Sequence, residues 1–182
     1  MKPSFRLSAA FGSLAIGILV SAAFADNDKD NKRHRQEIVR AVLVGFNEVP
    51  TLSSAASGAF KAVIDEDAGT ISYELRYQGL PGVTQAHIHF GRKAINGGIV
   101  AFLCSNLGNG PAGTQACPAG EATLTGTIQM ADVGAGAAGQ GIAAGEFGEF
   151  LAAIRSGSTY ANVHSTGFPG GEIRGQVVES FR

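Results

Sequence analysis

Few cysteines, no long hydrophobic run and no excess of positive charge set the first limits on this 182-residue sequence. The apolar run Ala9 to Val20 is about 12 residues long, and a membrane-spanning helix needs about 20. Residues 1–25 hold two of the 14 basic residues and none of the 15 acidic ones, so the remaining chain has a net charge of −3. This charge argues against nucleic acid as a partner.

The first 37 residues are expected to lie outside the folded domain. Basic residues precede the apolar run, and Ala23-Phe24-Ala25 follows it as a small-x-small cleavage site, so residues 1–25 are predicted to be a signal peptide. Residues 26–37 are charged without an apolar side chain, which predicts a disordered lead-in that includes His34. We therefore expect a periplasmic or secreted protein whose single domain spans residues 38–182.

The only two cysteines, Cys104 and Cys117, are expected to form a disulfide, because pairing is the default in an oxidising compartment. Closing the loop between them would contribute about 3 kcal/mol in the chain-entropy model. The alternative is a pair of thiolates that binds a soft metal. It lacks both C-x-x-C spacing and a nearby histidine.

Alternation of apolar and polar residues predicts an all-β fold. Residues 71–78 alternate for eight positions after the turn cluster 65–70, which predicts a hairpin with residues 58–64. One short helix is expected from four apolar residues at helical spacing, Phe147, Phe150, Leu151 and Ile154. With the other short runs between glycine-rich turns, we predict about eight strands in a Greek-key antiparallel β-sandwich with one short helix.

Three of the four histidines carry the clearest chemical signal. His87 and His89 lie two apart on a predicted strand and so share one face, while Ile88 faces the other way. His164 ends another predicted strand. Three neutral imidazoles suit copper or zinc, so the pattern predicts a metal site at these residues. An unmetallated network of hydrogen-bonded histidines stays equally open.

Three further residues are candidates for roles around that site. Glu48 and Glu172 would either take a fourth coordination position or fix the tautomer of a histidine ring. Glu172 and Arg174 lie two apart on a predicted strand, which favours a surface or rim salt bridge between them. Contact of Arg174 with an anion is the alternative. No nucleophile motif and no acid/base pair of carboxylates is found, so no catalytic residue is assigned.

Short motifs in order along residues 38–180 resemble the CHRD domain, the repeat named from chordin. The resemblance implies an exported single domain in bacteria; in chordin such domains belong to a secreted antagonist of growth factors. The residues that carry it are Leu43, Glu48-Val49-Pro50, Ser57-Gly58, Gly79-Leu80, Ala86-His87-Ile88-His89-x-Gly91, Asn96-Gly97, Tyr160-x-Asn162-Val163-His164 and Gly170-Gly171-Glu172-Ile173-Arg174-Gly175-Gln176.

The order of H-x-H, Phe-Gly, a cysteine, a late V-x-H-like segment and a Gly-Gly-x-x-Arg strand is also similar to copper–zinc superoxide dismutases. This resemblance implies copper ligation by His87, His89 and His164, and an anion-guiding role for Arg174. No histidines or aspartate in a long loop of this sequence could serve as the zinc site of that family or bridge two metals. A fourth copper histidine is also missing from residues 38–182.

Three functions follow as hypotheses. The first is an exported binding module that recognises a protein or another extracellular ligand and uses a copper or zinc ion at the three histidines. The second is a copper-dependent redox enzyme of superoxide dismutase type. The third is a structural envelope protein. We favour the first, which needs no catalytic residue.

Overall fold

The computed structural model describes residues 37–180 of the chain. The predicted signal peptide and His34 lie outside the described residues, as does all of the predicted lead-in except Glu37. Within residues 37–180, no helix is long and apolar enough to cross a membrane.

Nine strands and one α-helix make up the described part of the chain. Short 3-10 turns follow the first strand and precede the helix, at Gly45–Asn47, Met130–Asp132 and Ala135–Gln140. The regular elements are β1 (Glu37–Val44), β2 (Ser57–Asp65), β3 (Thr70–Gln78), β4 (Val83–Phe90), β5 (Gly98–Ser105), β6 (Ala122–Gln129), α1 (Phe147–Arg155), β7 (Thr159–Ser165), β8 (Ile173–Gln176) and β9 (Val178–Glu179).

All strands belong to one antiparallel sheet in the order β5-β4-β7-β8-β1-β2-β3-β6, and β9 pairs with β1. The pairs β3–β6, β4–β7 and β1–β8 join strands that are not consecutive, as expected for Greek-key connections. The β1–β8 junction has a single residue pair, Val44 with Arg174. Val177 separates the last two strands, β8 and β9.

The two ends of the sheet approach each other, so the sheet is nearly closed around one core. The Tyr73 hydroxyl on β3 donates to the Leu103 carbonyl on β5 at 2.9 Å. The Gln115 side-chain amide donates to the carbonyls of Leu103 on β5 (3.2 Å) and Thr125 on β6 (3.1 Å), which links the two end strands. The all-β, antiparallel prediction with one short helix is confirmed.

Strand alternation fills this core as the sequence predicts. On β3, Ile71, Tyr73, Leu75 and Tyr77 are buried, and Ser72 and Arg76 are exposed. Helix α1 buries the four residues predicted from helical spacing, and the chain leaves it through Gly157 in the left-handed region at φ 64°.

The predicted disulfide is present, with the sulfur atoms of Cys104 and Cys117 at 2.04 Å. It ties the end of β5 to the segment that follows. The Asn106 side chain secures the same segment, because it donates to Val83 O and Cys117 O and accepts from Cys117 N at 3.0 Å.

Strands β4 and β7 have two different buried faces. Their register pairs Ala86 with Val163 and Ile88 with Ala161 on the face that packs into the core. It pairs His87 with Asn162 and His89 with Tyr160 on the opposite face. That second face is polar, yet His87 is fully buried and Tyr160 is 2% exposed. The prediction that Ile88 faces away from the two histidines is confirmed.

Candidate metal centre

The polar face of β4 and β7 brings the three predicted histidines together. His87 and His89 come from β4 and His164 from β7, and each offers one ring nitrogen to a group whose members all lie within 4.8 Å of one another. All three side chains are buried, at most 8% exposed. Among the His, Cys, Asp and Glu side chains of residues 37–180, they form the one group with this geometry.

Backbone carbonyls fix the tautomers of two of these rings. His89 Nδ1 lies 2.8 Å from Gly97 O, and His164 Nδ1 lies 2.8 Å from Pro169 O. A carbonyl oxygen can only accept, so each Nδ1 carries the proton and each Nε2 carries a lone pair. This carbonyl-to-Nδ1 bond is the usual support of a metal-ligating histidine.

The third ring completes the cluster. His87 Nδ1 lies 3.2 Å from His164 Nε2, so the two rings contact each other in the metal-free protein, and a metal ion bound by His164 would replace this contact. Asn162 Oδ1 lies 3.2 Å from the same His164 nitrogen, and because both atoms are acceptors in this tautomer the contact is not a hydrogen bond. His87 Nε2 and His89 Nε2 are buried without a hydrogen-bond partner in the protein. A buried nitrogen without a partner costs free energy, and a metal ion held by the cluster would give such nitrogens a partner. The residues present therefore fit copper or zinc.

Burial also keeps the rings neutral. Removal from water lowers the pKa of His87 to about 3, with further lowering by the neighbouring His164 and His89. Burial likewise lowers the pKa of His89 to about 4, against a smaller rise from its bond to Gly97. The pKa of His164 is lowered by burial in the same way. Neutral imidazole is the form that binds a metal, so the cluster is ready for one at neutral pH.

These lowered pKa values predict that the metal-free protein loses stability in mild acid. Between pH 6.5 and 5, unfolded histidines take up protons that the folded cluster rejects, and each proton lowers the free energy of unfolding by about 1.4 kcal/mol per pH unit. Glu48 has the opposite effect on stability. Its raised pKa lets the folded state keep one proton up to about pH 7, whereas the unfolded state has already released it. The free energy of unfolding, measured in urea across this pH range, should depend less steeply on pH in His164→Gln than in the parent. The same pH dependence in both proteins would contradict the lowered pKa of His164.

Tyr160 and Arg174 line the same face beside His89. The Tyr160 ring lies parallel to the His89 ring, with centroids 4.7 Å apart and an interplanar angle of 4°. The Arg174 guanidinium carbon lies 3.3 Å from the centroid of the Tyr160 ring, in cation–π contact. Arg174 is only 2% exposed.

The predicted surface salt bridge between Glu172 and Arg174 is wrong. The Glu172 carboxylate accepts hydrogen bonds from the hydroxyls of Ser54 and Ser165, and both predicted partners are buried. Arg174 donates instead to the loop between β4 and β5. Residue spacing along a strand could not reveal this, because Ser54 and the loop that holds Arg174 are distant in the sequence, and Ser165 lies on the neighbouring strand.

Glu48 is buried beside Gly171 and under the influence of Arg174. Burial raises its pKa to about 7, although the charge of Arg174 and a hydrogen bond from the Val49 amide lower it. Its Oε1 is buried without a hydrogen-bond partner. This oxygen lies close against Gly171, since the Cβ of any larger residue there would be 2.7 Å from it. Neither Glu48 nor Glu172 belongs to the group of converging ligand atoms. The fourth-ligand role for these residues therefore has no geometric support.

Sequence reasoning missed the residues that support the rings. The Tyr160-x-Asn162-x-His164 alternation on β7 already placed these three side chains on one face, and this was the available signal. The carbonyls of Gly97 and Pro169 gave no signal, because every residue carries one.

The fold and the site together define an antiparallel all-β domain with three buried histidines on one face of its sheet. The sequence profile of the CHRD domain matches residues 39–177. The chain belongs to the CHRD domain family. No curated protein and no solved structure matches it.

Proposed function

We propose that this CHRD domain is an exported binding module that holds one copper or zinc ion through His87, His89 and His164. Membership of the family supports a binding module. The observation that carries the metal assignment is the convergence of three buried ring nitrogens, with Nδ1 of His89 and of His164 tied to backbone carbonyls.

The donor set favours these two metals. Three imidazoles without a carboxylate suit copper and zinc rather than calcium or magnesium, which prefer oxygen ligands. Both cysteines are in the disulfide, so no thiolate competes. Among divalent ions, nitrogen ligands hold copper most strongly, so copper should bind more tightly than zinc.

Export and a partner complete the proposal. The predicted signal peptide and the disulfide support a periplasmic or secreted location. A coordination position beyond the three histidines would remain for water or for a group on an extracellular partner. Redox catalysis of superoxide dismutase type gains no separate support, because Arg174 is engaged by backbone carbonyls.

Elemental analysis tests the metal directly. The purified protein is exposed to copper and to zinc and washed exhaustively, alongside His87→Ala/His89→Ala and the matched control His34→Ala. We expect one bound ion in the parent and in the control, and none in the double variant, whose fold is checked by circular dichroism. A parent that retains no metal would refute the proposal and favour a structural role for the histidines.

A further inference from the structure

The buried guanidinium of Arg174 holds residues 92–97, the greater part of the loop that connects β4 to β5. It donates to Ile95 O at 2.7 Å, to Arg92 O at 3.1 Å and to Asn96 Oδ1 at 3.2 Å. Three acceptors within five residues fix the path of a short loop. Only the planar fork of an arginine presents donors to all three at once.

The same loop carries the hydrogen-bond acceptor of His89. Its last residue, Gly97, accepts from His89 Nδ1 at 2.8 Å and donates its own N–H to the Tyr160 hydroxyl at 3.3 Å. The Tyr160 ring contacts His89 and also Arg174. Arg174 thus touches both supports of His89, the loop that fixes its tautomer and the ring that fixes its plane.

His164 provides an internal comparison. Its Nδ1 proton goes to Pro169 O, in the segment between β7 and β8, and none of the hydrogen bonds of Arg174 reaches that segment. Loss of the arginine should therefore disturb one histidine and leave the other in place.

We propose that Arg174 is a positioning residue for the metal centre: by holding residues 92–97 it keeps Gly97 O on His89 Nδ1, so that His89 presents its Nε2 lone pair to the cluster. The effect on metal affinity rests on the proposed function. The effect on the tautomer of His89 does not, because it is a property of the metal-free protein.

The first readout is the tautomer of each ring, measured by long-range ¹H–¹⁵N NMR in metal-free protein. Parent protein should show Nδ1–H for both His89 and His164. In Arg174→Met we expect a mixture of tautomers at His89 and an unchanged His164. The matched control is Arg155→Met, which removes an exposed arginine held by Glu37 and Glu66. It should leave both rings as in the parent.

The second readout is zinc affinity. Loss of an outer support of a metal ligand typically weakens binding 10–100-fold, and we expect a zinc dissociation constant about 10–100-fold larger in Arg174→Met and unchanged in Arg155→Met. If Arg174→Met does not fold, Arg174→Lys replaces it, since lysine keeps the charge but cannot bridge the three acceptors. Arg174→Lys should also give a mixture of tautomers at His89.

A folded variant at position 174 with His89 still wholly in the Nδ1–H form would overturn the inference. A parent that binds no zinc would refute the proposed function and leave the NMR result to decide the role of Arg174 by itself.

Discussion

Zinc is expected to stabilise the parent protein strongly and His164→Gln hardly at all. A ligand that binds only the folded state adds about 2.7 kcal/mol when its free concentration is one hundred times its Kd. For a domain of this size that gain corresponds to a rise in Tm of about 5–10 °C. Zinc is the suitable probe because it has no redox chemistry and leaves the disulfide intact.

Each protein is compared with itself, with and without zinc. His164→Gln loses the bond to Pro169 O and so changes the stability of the metal-free protein as well. The measured quantity is therefore the difference in Tm with and without zinc for the same protein. His34→Gln, which removes the histidine outside the proposed site, should keep the full zinc response. An equal response in His164→Gln would show that zinc binds elsewhere.

Gly97→Ala is expected to disrupt the histidine site, although Gly97 has no side chain that could bind a metal. A Cβ on Gly97 would lie 1.7 Å from Phe90 O and 2.5 Å from the Phe90 carbonyl carbon, both backbone atoms. Neither atom can move without displacing β4, so the loop must shift. Forced overpacking of this kind costs about 1–3 kcal/mol, and a displaced Gly97 carbonyl would no longer hold His89.

Gly170→Ala is the matched control, because a Cβ there meets nothing within 4 Å although the residue lies beside Pro169 in the other loop at the site. We expect Gly97→Ala to lower the midpoint of urea unfolding and to weaken zinc binding, and Gly170→Ala to change neither. Parent-like zinc affinity in a folded Gly97→Ala protein would show that the Gly97 carbonyl does not support His89.

The location of the cluster explains why loops matter so much here. The histidines lie on the face of β4 and β7 that is turned away from the core, and such a face is ordinarily solvated in an antiparallel sheet. In this protein loops supply its cover. The Asn96 side chain donates to Val49 O at 3.1 Å, which joins the loop of Gly97 to the segment that carries Glu48. Buried polar groups on this face are therefore paired in two ways: nearby turns hold His89 and His164, and a segment remote in sequence holds Arg174.

Local sequence was sufficient for the strands and for the three histidines that the structure brings together. The period of two along residues 71–78 reflects one buried and one exposed face, and the H-x-H spacing put His87 and His89 on the same side of β4. The disulfide followed from having only two cysteines in a chain expected to be exported. The family resemblance was confirmed over residues 39–177.

Tertiary structure alone decided what surrounds those histidines. Residue spacing suggested a salt bridge between Glu172 and Arg174, but Ser54 and Ser165 reach Glu172, and the loop between β4 and β5 takes Arg174. The same folding delivers Gly97 O to His89 and Pro169 O to His164. Side-chain direction along a strand is a local property of the backbone, and sequence determines it. The partner of a buried polar atom depends on how the turns and the more distant segments fold over it, and only the folded chain determines that.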